Sequence, residues 1–204
     1  MTHKIVRTLS IASVLAVLCG AQAAPLDPSN VMGAKTCAAC HKSETATWKK
    51  TKHYANFKKL SKNPQAKKIA KAMGVKRIRS PKADCAVCHY TVQRKGKKEK
   101  VISGTSCESC HGAAKNWIKI HSKKGGLTKA KGMIDGKMAI SGCTRCHNGD
   151  NAPDRAALLK AGHPKFGDFK WPERVKQIQH FRTGAPQKLS PEDVKTIDAF
   201  MKKS

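Results

Sequence analysis

The sequence predicts a mainly α fold with little sheet, in which one short stretch is a candidate hairpin. Three observations carry that expectation. Apolar residues recur at helical spacing in several segments, each bounded by proline, glycine or a capping side chain. One segment alone pairs β-branched residues around a turn signal. Aromatic residues are 5% of the 204 residues. So low a share is consistent with something other than side chains filling part of the interior.

That something is indicated by a pattern used four times. It reads Cys37-Ala-Ala-Cys40-His41, Cys85-Ala-Val-Cys88-His89, Cys107-Glu-Ser-Cys110-His111 and Cys143-Thr-Arg-Cys146-His147. Cys-x-x-Cys-His is the attachment pattern of a c-type haem. One helical turn sets both sulfurs under one edge of the porphyrin, where they form thioethers, and points the following imidazole at the iron. Of the nine cysteines, Cys19 lies in the leader and the other eight are these four pairs. None is left for a disulfide or a free thiol. An exported chain with paired cysteines would otherwise suggest a disulfide framework, and Cys-x-x-Cys alone would suit zinc. Neither explains a histidine directly after every pair. The expected cofactors are four covalent haem c groups in a compact multihaem cytochrome c.

In chain order, residues 1–23 read as a signal peptide. Lys4 and Arg7 form its charged start, residues 11–18 its apolar core and Ala21-Gln22-Ala23 its cleavage site. The apolar run is too short to span a bilayer, and Leu18 before Cys19 argues against a lipoprotein cysteine. The leader is expected to be cleaved near Ala23, leaving residues 24–204 as a single domain in the periplasm. Residues 25–33 are a lead-in without periodicity. Residues 43–60 read as one helix, with Ser43 as N-cap and His53, Phe57 and Leu60 on one face. Asn63-Pro64 breaks it. Residues 65–73 form a second helix ending at Gly74, and its Lys67, Lys68 and Lys71 read as a solvated face.

A basic loop, residues 76–82, leads to the second motif. Residues 91–102 read as the hairpin, with Val92 and Val101-Ile102 flanking a Lys95-Gly96 turn. Its Arg94, Lys97, Lys98 and Lys100 suit an edge kept soluble by charge, a reading preferred here over a docking patch for an acidic partner. After the third motif, Ala114, Trp117, Ile118 and His121 share a helical face. Residues 122–131 are a basic loop, and residues 133–142 lead into the fourth motif. Residues 148–153 form another loop. A short helix over 154–161 stops at Gly162. Trp171-Pro172 opens a helix over 173–182. In the last helix Ser190 caps, Pro191 takes the first position, Glu192 and Asp193 favour the positive dipole end, and Val194, Ile197 and Met201 face inward.

The sixth position on each iron decides between carrier and enzyme. An iron with two protein ligands passes electrons, and one with an open position can bind a small molecule. Nine histidines are present; His3 leaves with the leader and four belong to the motifs. The four that remain, His53, His121, His163 and His180, would allow bis-histidine ligation at every iron. His53 shares a face with Phe57 and Leu60, and His121 with Trp117. His180 lies off the face defined by Val175 and Ile178, where a haem could cover it. His163, in Ala-Gly-His-Pro, is a ligand or else a surface or second-sphere imidazole. Met32, Met73, Met133 and Met138 are alternative ligands that the histidine count makes unnecessary.

On these residues the chain resembles the tetrahaem cytochrome c-554 family, whose type member takes electrons from hydroxylamine oxidoreductase in ammonia-oxidising bacteria. The matching stretches are Cys37 to His53, including Thr47-Trp48-Lys49-Lys50-Thr51-Lys52-His53, and Gly104 to His121, including Asn116-Trp117. The tail after the fourth motif matches poorly. The resemblance implies a mostly helical fold with stacked haem pairs. It also implies crossed ligation: His121 for the haem on His41, His53 for the haem on His111 and His180 for the haem on His147. In the family pattern the haem here held by His89 is high-spin and open. His163 is a candidate that this pattern does not need, and it could exchange roles with His180.

The formal charge of +28 falls to +26 without Lys4 and Arg7, and to about +18 if the propionates of four haems are ionised. Such a surface attracts acidic redox partners, a donor and an acceptor, and an anionic membrane surface competes for it. Nucleic acid is the generic reading of such charge, and it is set aside because the chain reads as exported and has no binding motif. The leading function is therefore electron transfer between proteins. The alternative is reduction of nitric oxide or a related nitrogen or sulfur species at an open haem on His89. A subunit of a larger reductase or of a haem filament is a third, weaker alternative.

Overall fold

The computed structural model describes residues 26–123, 143, 145–149 and 151–167. The leader, the segment before the fourth motif, the expected helices over 173–182 and 190–201, and His180 lie outside them. The described fold is mainly α with one two-stranded antiparallel sheet. Among the described residues no helix is long and apolar enough to cross a membrane.

The helices are α1 (Ala34–Ala38), α2 (Lys42–Lys49), α3 (Lys52–Lys59), α4 (Pro64–Ala72), α5 (Ala86–His89), α6 (Cys107–His111) and α7 (Ile118–His121), followed by the helix Arg155–Lys160. Strands β1 (Tyr90–Lys95) and β2 (Lys98–Gly104) form the hairpin. The helices are short because glycines, prolines and caps interrupt the chain often.

The single helix expected over residues 43–60 is two. Thr51 is extended (φ −84°, ψ 160°) and caps α3. Its hydroxyl donates to the Trp48 carbonyl at 2.7 Å and accepts from the Tyr54 amide at 3.3 Å. One side chain thus closes α2 and starts α3. Nor does Ser43 cap α2: His41 holds that position, and the Ser43 hydroxyl donates to Glu44 at 2.7 Å. The break at Asn63-Pro64 and the stop at Gly162 act as expected, Asn63 and Asp154 add caps, and the hairpin turn falls one residue later than expected. Asn63 accepts from the Ala66 amide at 3.1 Å with Pro64 in the first turn of α4. Asp154 accepts from the Ala157 amide at 2.8 Å, and Gly162 ends that helix at φ +90°. The hairpin turns through Gly96 (φ +59°) and Lys97, with Lys95 opposite Lys98.

Two buried clusters hold these elements. Ala70, Ile78, Ala86 and Tyr90 join α4, the basic loop, the second motif and β1, with Phe57, Val75 and Cys85 packed against them. Ala114 and Trp117 form the other, with Met32 and Ile118 against it. The expected face of Ala114, Trp117, Ile118 and His121 spans a 3-10 turn (Ala114–Asn116) and α7, rather than continuing α6, because Gly112 turns the chain at φ +86°.

The third motif contains a buried acid. Glu108 is 1% exposed and accepts three backbone N–H groups: Met32 at 2.9 Å, Gly33 at 2.7 Å and Ala114 at 2.8 Å. These bonds tie the start of α1, and so the first motif, to the third. Burial raises its pKa, and the three amides oppose that rise. Glu108→Gln is isosteric, but its amide must face at least one of these donors. We expect thermal or denaturant unfolding of the holoprotein to show a loss of about 1–3 kcal/mol for Gln and more for Ala. A loss below about 0.5 kcal/mol for both would mean that the clamp carries little.

Candidate haem-ligating site

Each motif lies in or beside a helical turn: α1 with His41 for the first, α5 for the second, α6 for the third, and residues 143 and 145–147 for the fourth. Helical geometry brings the two thiols and the imidazole of each motif to one place. Thiols of different motifs also meet. Cys37 and Cys107 lie within hydrogen-bonding reach, as do Cys110 and Cys143, and Cys88 and Cys146. These contacts put the first motif beside the third, the third beside the fourth and the fourth beside the second.

Motif histidines face three of the spare histidines. The His41 and His121 rings are 5.9 Å apart between centroids and 20° from parallel. His53 faces His147 at 6.2 Å, and His89 faces His163 at 6.2 Å, each pair tilted by 58°. Two imidazoles on one metal, with bonds of about 2.0 Å, have centroids roughly 6 Å apart. The separations fit an iron between each pair. At three of these rings, His53, His89 and His147, burial favours the neutral form that a ligand must have. It lowers the pKa of His53 and of His147, and it takes His89 to about 4, with the charges of His163, His53 and His147 acting in the same direction.

Local contacts aim the three spare rings among the described residues. The amide of His121 bonds to the Trp117 carbonyl at 2.9 Å, and the Trp117 ring meets the imidazole edge-on at 5.4 Å. His53 is set by α3, which packs on β2 at Gly104. A Cβ built on Gly104 would collide with the His53 carbonyl oxygen. His163 is held on several sides. Its Nδ1 is 2.8 Å from the Pro164 carbonyl oxygen, which makes Nδ1 the donor and leaves the Nε2 lone pair for a metal. Its ring stacks on Phe166 at 4.8 Å, and the Arg155 guanidinium lies 5.5 Å over the Phe166 ring. The Gly167 amide donates to the His147 carbonyl at 2.8 Å, so this segment is pinned to the fourth motif.

The resemblance pairs His53 with His111, whereas the structure brings His53 to His147. The break at Thr51 and the close approach at Gly104 direct α3 there. Phe166, Gly104 and Glu108 contribute to the site without having been singled out from sequence. A phenylalanine three residues after His163 was the one local signal available. Of the alternative ligands, Met32 packs in the Trp117 cluster and Met73 caps α4; Met133 and Met138 lie outside the described residues. Glu44 comes no closer than 3.8 Å to Nδ1 of His41, beyond hydrogen-bond length.

Arg145, in the fourth motif, is 8% exposed, and its Nε has no partner among the described residues. A buried cation of this kind suits a carboxylate such as a haem propionate. The facing imidazoles and adjacent thiols are the groups that attach and ligate covalent haem.

Comparison with known proteins agrees. The family model described as Cytochrome c554 and c-prime matches residues 36–112, and that described as Cytochrome c3 matches residues 78–159. The chain is 30% identical over 176 residues to Cytochrome c-554 of Nitrosomonas europaea, a match covering 72% of this chain and 72% of that protein. The solved structure of reduced cytochrome c554 from Nitrosomonas europaea aligns with 85% of this chain and 98% of its own, at 22% identity and a TM-score of 0.43.

Proposed function

Because this chain belongs to the cytochrome c-554 family, and is therefore a c-type cytochrome that carries electrons on covalently bound haem c, we propose that it is a periplasmic tetrahaem carrier between redox proteins. Residues 24–204 form its single domain, and residues 1–23 are the cleaved leader. The thioether cysteines are Cys37, Cys40, Cys85, Cys88, Cys107, Cys110, Cys143 and Cys146. His41 is paired with His121, His147 with His53 and His89 with His163. Four spare histidines for four motifs then leave His180 for His111.

The supporting observation is the facing of His89 and His163 at 6.2 Å. It favours a closed sixth position at the haem that the family pattern leaves open, and so a carrier over a reductase. When bound, each haem supplies one-electron cycling of its iron. The chain's own residues fix the ligands and bring the first motif beside the third, the third beside the fourth and the fourth beside the second. The positive surface recruits acidic donors and acceptors.

The test is an electron paramagnetic resonance spectrum of the ferric holoprotein with and without nitric oxide. Iron content should be four per chain, with no high-spin signal and no nitric oxide binding. A high-spin signal of about one iron per chain that binds nitric oxide would leave His163 unligated and turn the function towards small-molecule reduction.

A further inference from the structure

A cleft of about 690 Å³ lies between α4 and the loop that follows it. Its lining includes Lys67, Lys71, Lys76, Arg77 and Arg79 and no acidic residue. All five cations are exposed, and none forms an ion pair among the described residues. Arg79 is held in place: it donates to the Phe57 carbonyl at 3.3 Å and lies 5.0 Å over the Phe57 ring. The hairpin differs, because there Arg94 is paired with Glu99 at 2.5 Å.

The cleft is joined to the second motif. Ala70 and Ile78 line the cleft and are buried in the same cluster as Ala86, between Cys85 and Cys88; Val75, also in the lining, and Cys85 pack against that cluster. One layer of side chains therefore separates the cations from the haem-binding cysteines.

We propose that this cleft, with Lys67, Lys71, Lys76, Arg77 and Arg79, is the docking surface for an acidic redox partner that exchanges electrons with the haem on His89. The inference rests on the carrier reading above and adds where the partner binds. Clustered cations without a local carboxylate raise the potential at one spot, steer a complementary acidic face to it and leave the rest of the surface less favoured. In the exchange, one electron leaves the partner's reduced centre and one ferric iron becomes ferrous. No bond breaks and no proton moves.

The probe is a reduced, acidic plant-type [2Fe–2S] ferredoxin, mixed in stopped flow with the ferric holoprotein across a range of salt. The cleft variant carries Lys67→Glu, Lys71→Glu, Lys76→Glu and Arg77→Glu. The control carries Lys95→Glu, Lys97→Glu, Lys98→Glu and Lys100→Glu in the hairpin, an equal change in charge. At low salt the cleft variant should be slower by about tenfold or more and the control by about twofold or less, with the difference vanishing at high salt. Matching absorption and circular dichroism spectra establish that both variants are folded. Equal slowing in the two variants would assign the effect to net charge and overturn the proposal, as would an unchanged cleft variant. If the cleft variant keeps its ferredoxin rate but no longer sediments with phosphatidylglycerol vesicles, the cleft is a membrane contact and the proposal is likewise overturned. A wild-type protein that ferredoxin fails to reduce, although dithionite reduces it, would sink the carrier reading itself; equal rates in wild type and cleft variant sink the docking surface alone.

Discussion

Replacing His163 with alanine is expected to open one haem. The ferric variant should show a high-spin signal from about one iron in four and should bind nitric oxide in the same proportion, while the wild type does neither. The effect should be confined to that iron. His163 sits after the glycine that ends the Arg155–Lys160 helix, and its carbonyl-bound Nδ1, the Phe166 stack and the Gly167–His147 bond all serve to aim one ring at His89. Removing the ring leaves the Gly167–His147 bond in place. His163→Met separates ligation from packing. A thioether on the iron would keep it low-spin while raising its potential, as methionine does relative to histidine. Phe166→Ala should act more weakly, because Pro164 still holds Nδ1, and should give a partial high-spin signal that increases on warming. No high-spin signal in His163→Ala would remove His163 from the ligand set and return the sixth position at His89 to another residue.

The same histidines show what the sequence made legible. Four Cys-x-x-Cys-His motifs and four spare histidines were countable at once, because covalent attachment is a local pattern. The helix break at Pro64 and the stop at Gly162 were equally local, and so was the glycine in the hairpin turn. Which spare ring meets which motif is not local. His53 lies 94 positions from His147 in the chain, and nothing in spacing or periodicity carries that distance. The break at Thr51 was hidden because the helical period continues through His53, Phe57 and Leu60. Glu108 was hidden for the opposite reason. A fully buried acid is improbable by composition, and its three amide partners come from residues on either side of the motif in the fold. The resemblance supplied His121 for His41, which the facing rings match. It supplied His111 for His53, which they do not.

Gly104 is where that long-range pairing is most open to attack by a single methyl group. It is buried at the end of β2, opposite Tyr90. Its φ is not in the left-handed region, so alanine there carries no conformational penalty. The penalty is steric: the added Cβ would overlap the His53 carbonyl oxygen and lie 3.2 Å from the Phe57 amide nitrogen. Both are backbone atoms of α3, which cannot turn aside as a side chain could. The helix has to move away from β2, and His53 moves with it, away from His147. Gly104→Ala should therefore lose about 2–4 kcal/mol in unfolding and also release the His53 ligand, seen as a high-spin signal at one iron. Gly74→Ala is the contrast. At φ +68° with nothing within 4 Å, it should cost about 1 kcal/mol of backbone strain and leave every haem low-spin. A Gly104→Ala protein as stable as Gly74→Ala and still fully low-spin would mean that the close approach of α3 to β2 does not set the His53 ring. The ligand would then be positioned from the fourth motif instead.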